Sequence, residues 1–233
     1  MLKDLTINKK DIAIFIAILF HLCGAIGILF TSQKDWFISN TNFNLLLMAA
    51  LLIWVQPNKN LHFFLFLIIS FFVGMGTEMI GVNTGKLFGN YQYGNVLGKK
   101  LNGVPFLIGI NWFVVVYCSG TIITKFSDWI EEKYEIQGVR IKPWITTVSF
   151  VIDGAMIATM FDYNIESVAG KLNYWHWKND TVPMYNFVCW FAISGILLYI
   201  FKKLNFYKGN LFAVHLLIIQ YLFFISLQIY LPR

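Results

Sequence analysis

Four carboxylates lie within or beside long apolar segments, and their positions suggest acid–base chemistry. They are Glu78, Asp153, Asp162 and Glu166. Ionisable groups are costly inside a bilayer, so they are candidates for function by default. Asp162 and Glu166 are four residues apart and share a helical face, where one carboxyl group can hold a proton beside another that acts as a base. We predict that Glu78 and Asp162 form an acid–base pair supported by Glu166; the alternative for the close pair is a solvated helix end.

The segment around Glu78 is rich in glycine. On a helix, Gly74, Glu78, Gly81 and Gly85 fall on one narrow stripe. Glycine allows another helix or a ligand to approach closely. The stripe favours a catalytic or binding role for Glu78, and the alternative is a packing seam in which the carboxylate bonds to a neighbouring helix.

Asp153 lies near the middle of an apolar segment, about 15 Å from either membrane face at 1.5 Å per residue. It precedes Asp162 by nine residues, which places the two on opposite sides of a straight helix. We include Asp153 among the catalytic candidates as a proton reservoir, with a structural hydrogen bond as an equal alternative.

Aromatic and amide side chains gather near the same carboxylates. Interfacial Trp and Tyr belts are ordinary in membrane proteins, so a belt is the default interpretation of any single ring. Their concentration in two polar connectors beside carboxylates instead favours a substrate pocket. The predicted substrate-binding residues are Tyr91, Tyr93, Asn111, Trp112, Trp175, Trp177 and Asn186.

The composition requires that these residues be positioned by membrane helices. Apolar residues make up 58% of the 233-residue chain and charged residues only 13%, against about 25% in ordinary globular proteins. A net charge of +6 without a basic run argues against a nucleic-acid partner. The three cysteines are far apart, and the histidines have no ligand spacing, so we predict neither a metal nor another cofactor.

Seven apolar segments predict an all-α, polytopic integral membrane helix bundle with about seven transmembrane helices in a single domain over residues 1–233. Backbone groups in lipid have no water to bond to, so each span must be helical. The second span is short for a core of about 30 Å. The segments are 12–30, 43–55, 61–82, 104–124, 143–163, 183–201 and 210–231.

The distribution of basic residues predicts the orientation in an inner cell membrane. Eleven of the 18 Lys and Arg residues fall on the side of the N-terminus, including Lys3 and Arg140, and the remaining seven, including Arg233, fall on the other side. The N-terminus is therefore predicted to be cytoplasmic. The connectors 83–103 and 164–182 would then share the non-cytoplasmic face, together with the helix ends that carry the carboxylates.

Several ordered stretches resemble the carotenoid hydratases of the CruF type, in the membrane family often labelled carotenoid biosynthesis protein. The resemblance covers residues 72–191. It departs from the family pattern at Ser167, where a proline is expected after the second acid. The stretches that carry it are 78–94, 101–112, 162–166, 174–177 and 182–190.

The resemblance implies that water is added across the terminal double bond of an acyclic carotenoid, giving a tertiary alcohol without a redox cofactor. The expected partners are a carotenoid dissolved in the lipid bilayer and other enzymes of carotenoid biosynthesis. The residues fit this chemistry: a neutral carboxylic acid protonates carbon, aromatic faces stabilise the cation, and a second carboxylate takes a proton from the added water.

Two other functions are compatible with the same residues. One is a different membrane isoprenoid or lipid enzyme that catalyses prenyl transfer or cyclisation, although Asp162 and Glu166 give only one incomplete copy of an acidic magnesium-binding motif. The other is a non-enzymatic carrier of lipid or protons, which would explain buried carboxylates but would not require the aromatic connectors.

Overall fold

The structure, a computed structural model, describes residues 8–136 and 142–231. Lys3, Arg140 and Arg233 of the charge count lie outside this part of the chain. The helices are α1 (Lys9–Phe30), α2 (Lys34–Ser39), α3 (Thr41–Val55), α4 (Leu61–Thr84), α5 (Phe106–Ile136), α6 (Pro143–Ala169), α7 (Met184–Lys203) and α8 (Leu211–Tyr230). The strands are β1 (Tyr91–Tyr93), β2 (Lys100–Leu101), β3 (Val104–Pro105) and β4 (Trp175–Trp177).

The all-α, multi-pass membrane architecture is confirmed. All seven predicted spans coincide with helices, and six of these helices are long and apolar enough to cross a bilayer. The second predicted span is the exception, because α3 has only 15 residues, about 22 Å at 1.5 Å per residue. The short helix α2 was not predicted. Which face of the bundle is cytoplasmic stays a prediction.

Local signals in the sequence explain where several helices begin and end. Asn60 and Asn210 precede α4 and α8, and each side chain accepts a backbone N–H of the first turn. Pro143 begins α6, where its missing N–H costs no hydrogen bond. Gly85 ends α4 in the left-handed conformation, with φ of 65°.

Helix α5 lies at the centre of the bundle and is the most buried of the six long helices. Every residue from Trp112 to Thr121 is buried, as expected for a helix that is apolar on all sides and enclosed by others. Helices α3, α4, α6, α7 and α8 contact α5, while α1 packs mainly on α8. The outer helices expose large apolar side chains, which suits contact with lipid.

Glu78, Asp162 and Glu166 lie toward one end of this bundle, which we call the site face. It is the end at which α4 and α6 terminate and α5 and α7 begin. Helix α6 extends to Ala169, beyond the predicted end at residue 163, so Glu166 is helical. The hydroxyl of Ser167 bonds to the carbonyl of Asn164, and the helix continues without the proline that the resemblance leads one to expect.

Candidate active site

Glu78 is buried in the last two turns of α4, with only 4% of its surface exposed. Two glycines on the predicted stripe allow aromatic rings to reach it. A Cβ atom at position 74 would lie 2.5 Å from the Trp112 ring, and one at position 81 would lie 2.8 Å from the Tyr91 hydroxyl. The stripe therefore admits rings from α5 and from the connector that follows α4.

Three donors converge on the Glu78 carboxylate. The hydroxyls of Tyr91 and Tyr93 both donate to Oε2, Tyr93 at 2.7 Å. The indole Nε1 of Trp112 donates to Oε1 at 3.0 Å. Burial, and secondarily the charge of Glu78, raises the pKa of both tyrosines well above the ordinary range. Both hydroxyls consequently stay protonated at physiological pH and remain donors.

Asp162 and Glu166 lie one turn apart on α6, and the amide of Asn186 bridges them. Its Nδ2 donates to Oδ2 of Asp162 at 2.7 Å and lies 3.4 Å from Oε1 of Glu166. The indoles of Trp175 and Trp177 both donate to Oε2 of Glu166, at 3.0 and 2.8 Å. Glu166 thus accepts several donors, while Asp162 accepts a bond from Asn186 alone among the described residues.

The two connectors meet in a short β-ribbon, which places their aromatic side chains over the carboxylates. β1 pairs antiparallel with β4, so that Tyr91 lies opposite Trp177 and Tyr93 opposite Trp175. Alternate residues of a strand point to the same face. These four rings accordingly face the carboxylates, whereas the central residues of both strands are exposed.

The carboxylates and rings enclose a cavity of about 20 Å³, room for about one water molecule. Its walls combine the three carboxylates with the ribbon rings, Asn186 and two further aromatic residues, Phe88 and Trp190. Trp190 stacks on Trp112, with ring centroids 3.9 Å apart and planes inclined by 6°. This arrangement brings a water-sized space, potential proton donors and acceptors, and aromatic faces together.

A comparison with protein families identifies the family to which the chain belongs. The chain matches the family model described as carotenoid biosynthesis protein over residues 39–231. The chain belongs to this family. Searches of curated proteins and of solved structures found no match. The matched range includes every carboxylate and ring of the cavity, and membership of the carotenoid biosynthesis protein family supports a role in carotenoid biosynthesis.

Three predicted site residues, Asp153, Asn111 and Trp112, do not line the cavity. Trp112 still belongs to the site, because it donates to Glu78 and stacks on Trp190. Asp153 is half-buried on α6, where it accepts a hydrogen bond from Ser149 at 2.7 Å. Asn111 lines a separate small cavity that contains none of the carboxylates. Among the described residues, neither Asp153 nor Asn111 has a hydrogen bond to Glu78, Asp162 or Glu166, and their predicted roles stay predictions.

Trp190 and Phe88 are wall residues that the sequence prediction missed. Trp190 follows Asn186 by four residues, and this helical spacing could have placed it on the same face of α7. No comparable signal marks Phe88, which has a positive φ of 61° in an irregular loop. Across residues 8–133 and 142–231, no group of three or more His, Cys, Asp and Glu side chains is arranged to hold a metal ion.

Proposed function

We propose that this protein is a carotenoid hydratase, which adds water across the terminal double bond of an acyclic carotenoid to give a tertiary alcohol. The observation that carries the proposal is the cavity for one water molecule between Glu78 and the pair of Asp162 and Glu166. Its place near the end of a membrane bundle lets an insoluble polyene arrive from the lipid while water arrives from the interface.

Asp162 is the proposed acid. It accepts a hydrogen bond only from Asn186 among the described residues and lies beside Glu166, so a proton on Asp162 relieves repulsion between the two carboxyl groups. Asp162 transfers this proton to the CH carbon of the terminal double bond. The π electrons form the new C–H bond, and the carbon that bears two methyl groups becomes a tertiary cation.

The aromatic walls stabilise this cation. Tyr91, Trp175, Trp177 and Trp190 all border the cavity, and the ring centroids of Tyr91 and Trp177 lie 5.0 Å apart. A cation near the face of such rings is stabilised by about 2 kcal/mol when it is desolvated. The stabilisation develops only as charge forms, so it lowers the barrier of the protonation step.

Glu78 is the proposed base. Three donors stabilise its carboxylate form, and it lines the cavity from α4, whereas Asp162 and Glu166 line it from α6. Water adds to the cation through its oxygen lone pair, and Glu78 takes the surplus proton to leave the alcohol. The next water molecule relays that proton from Glu78 to Asp162, so the net change is alkene plus water to alcohol.

The test is to express the chain in a bacterium that accumulates lycopene and to analyse the pigments by mass spectrometry. We expect pigments that have gained the mass of one or two water molecules, and none from the Asp162→Asn variant present at the same level in the membrane. An isomer of unchanged mass would indicate cyclisation, and a longer carbon chain would indicate prenyl transfer. Unchanged pigment with the wild-type protein present in the membrane would contradict the proposal.

A further inference from the structure

A much larger cavity lies toward the site face, between α1, α2, α3 and α8. Its volume is about 520 Å³, within the range of about 300–1,000 Å³ that is typical of small-molecule sites. The walls are mainly apolar and aromatic, with Phe20, Ile28, Phe37, Phe43, Phe223 and Phe224 among them. We call this cavity the chamber.

The chamber adjoins the carboxylate cavity through a third, narrow cavity of about 30 Å³. Leu45, Tyr174, Gln220 and Phe224 line both the chamber and the narrow cavity. Trp175 lines both the narrow cavity and the carboxylate cavity. The three cavities therefore follow one another, and two consecutive residues of the ribbon connector separate them.

An unpaired amide at this junction indicates a ligand with a polar group. Gln220 is only 2% exposed, and its Oε1 has no hydrogen-bond partner in the described part of the chain. The Oδ1 atom of Asn44, another chamber residue, is also buried without a partner there. Leaving such an atom unpaired costs about 1–3 kcal/mol. A ligand hydroxyl that donates to Gln220 would remove that cost.

We propose that the chamber binds the linear polyene part of the substrate, and that one end of the polyene passes Tyr174 and Trp175 to reach the carboxylates. This inference rests on the proposed function for the identity of the ligand. When the product withdraws into the chamber, its new tertiary hydroxyl meets the free oxygen of Gln220. The unpaired amide is thus matched to the product rather than to the hydrocarbon substrate.

Trp175 must move for the substrate end to arrive, because 20 Å³ holds a water molecule but not an isoprenoid end group. Its movement breaks the indole bond to Glu166, while Trp177 keeps its own bond to the same oxygen. Tyr174 is held by a hydrogen bond between its hydroxyl and that of Thr41, at 3.1 Å. Of the two residues that separate the cavities, we therefore infer that Trp175 moves and that Tyr174 stays fixed.

Cys23 allows the chamber to be tested without any measurement of catalysis. It lines the chamber and is exposed, whereas Cys118 and Cys189 are buried and serve as internal references. Purified full-length protein is treated with N-phenylmaleimide, with and without lycopene, and alkylation of each cysteine is followed by mass spectrometry. Lycopene at about ten times its Kd should slow alkylation of Cys23 about tenfold.

A pair of glycine variants supplies the matched control. Gly24 lines the chamber, and Gly195 lines an open groove of similar volume, about 500 Å³, between α6 and α7. A Cβ atom at either position would first meet a side chain at 3.5 Å. Gly24→Phe should abolish lycopene binding and formation of the hydrated pigment, while Gly195→Phe should retain both. The level of each variant in the membrane shows whether it has folded.

The outcomes separate this inference from the proposed function. Formation of hydrated pigment while lycopene fails to protect Cys23 would contradict polyene binding in the chamber but not the hydratase function. Protection of Cys23 by lycopene without any hydrated product would support polyene binding in the chamber and contradict the hydratase function. Equal alkylation rates of Cys23 with and without lycopene are expected if a bilayer acyl chain fills the cavity, and they would contradict polyene binding in the chamber. Unchanged lycopene binding by the Gly24→Phe variant would contradict it as well.

Discussion

Replacement of Glu78 by glutamine tests the proposed base directly. The three donors to Glu78 are charge-assisted, and hydrogen bonds to a charged group contribute about 1.5–3 kcal/mol each, against about 0.5–1.5 kcal/mol for neutral pairs. Trp112 can only donate, so the amide oxygen must face it. The amide NH₂ then faces Tyr91 and Tyr93, whose hydroxyls must turn to accept.

The expected loss of interaction is about 1 kcal/mol per bond, or about 3 kcal/mol for the three bonds. A neutral amide is also cheaper to bury than a carboxylate, which offsets much of this loss. Glu78→Gln should therefore insert and fold, with only a modest fall in melting temperature. Loss of the base should lower kcat by about 10²–10⁴-fold, which corresponds to an activation barrier that is about 3–5 kcal/mol higher.

The assay is the initial rate of hydrated pigment formed by purified protein in detergent, compared with a melting curve of the same sample. Glu132→Gln is the control, because it removes a carboxylate from an exposed position near the end of α5. It should leave both the rate and the melting temperature unchanged. A Glu78→Gln protein that melts normally and keeps more than about a tenth of the wild-type rate would refute the assignment of Glu78 as the base.

Three further predictions follow from the geometry. Gly74→Ala places a methyl group 2.5 Å from the Trp112 ring, so it should lower both the hydration rate and the free energy of unfolding, the latter by about 1–3 kcal/mol. Gly76→Ala is the control, because its methyl group would have no atom within 4 Å, and it should change neither quantity. Burial raises the pKa of Tyr174 to about 12. The contribution of the protonated Tyr174 to stability should therefore be complete below about pH 10 and decline toward pH 12. Melting curves of Tyr174→Phe should lack this decline, and an unchanged decline would exclude Tyr174 as its cause. Asp153→Asn should hydrate at the wild-type rate, and a large loss would restore the catalytic role that its sequence position suggests.

The membrane fold was predictable because the bilayer imposes a simple length rule on each helix. The seven apolar segments all became helices, and the segment 43–55 that looked short is indeed the short α3. The ends were harder to predict. Helix α5 continues through charged residues to Ile136, because a helix that leaves the lipid satisfies its backbone equally well in water.

The candidate site was predictable only where helical spacing or a shared membrane face determines position. The expectation that Glu78, Asp162 and Glu166 would share one end of the bundle agrees with their common cavity. The spacing of nine residues predicts that Asp153 lies on the other side of α6 from Asp162, and Asp153 does not line the cavity. Asn111 was harder, because its neighbour Trp112 reaches Glu78 while a rotation of about 100° turns Asn111 elsewhere.

The ribbon could not have been predicted from local pattern. Strands of three residues carry no usable alternation, and the pairing of Tyr91 with Trp177 joins segments separated by two transmembrane helices. The prediction that both connectors lie on one face is consistent with their pairing but does not specify it. Their register decides which rings face the carboxylates, and only the folded structure gives that register.

The distribution of donors also bears on how the chain is inserted during synthesis. All three donors to Glu78 come from the α4–α5 hairpin, and the three donors to Asp162 and Glu166 come from the later segment between Trp175 and Asn186. At about 5–20 residues per second, roughly 5–20 s separate synthesis of Glu78 from that of Trp177. Each hairpin can satisfy its own carboxylates while it leaves the translocon. The proposed acid and base thus meet only when the β-ribbon and the Trp112–Trp190 stack join two halves whose carboxyl groups already accept hydrogen bonds.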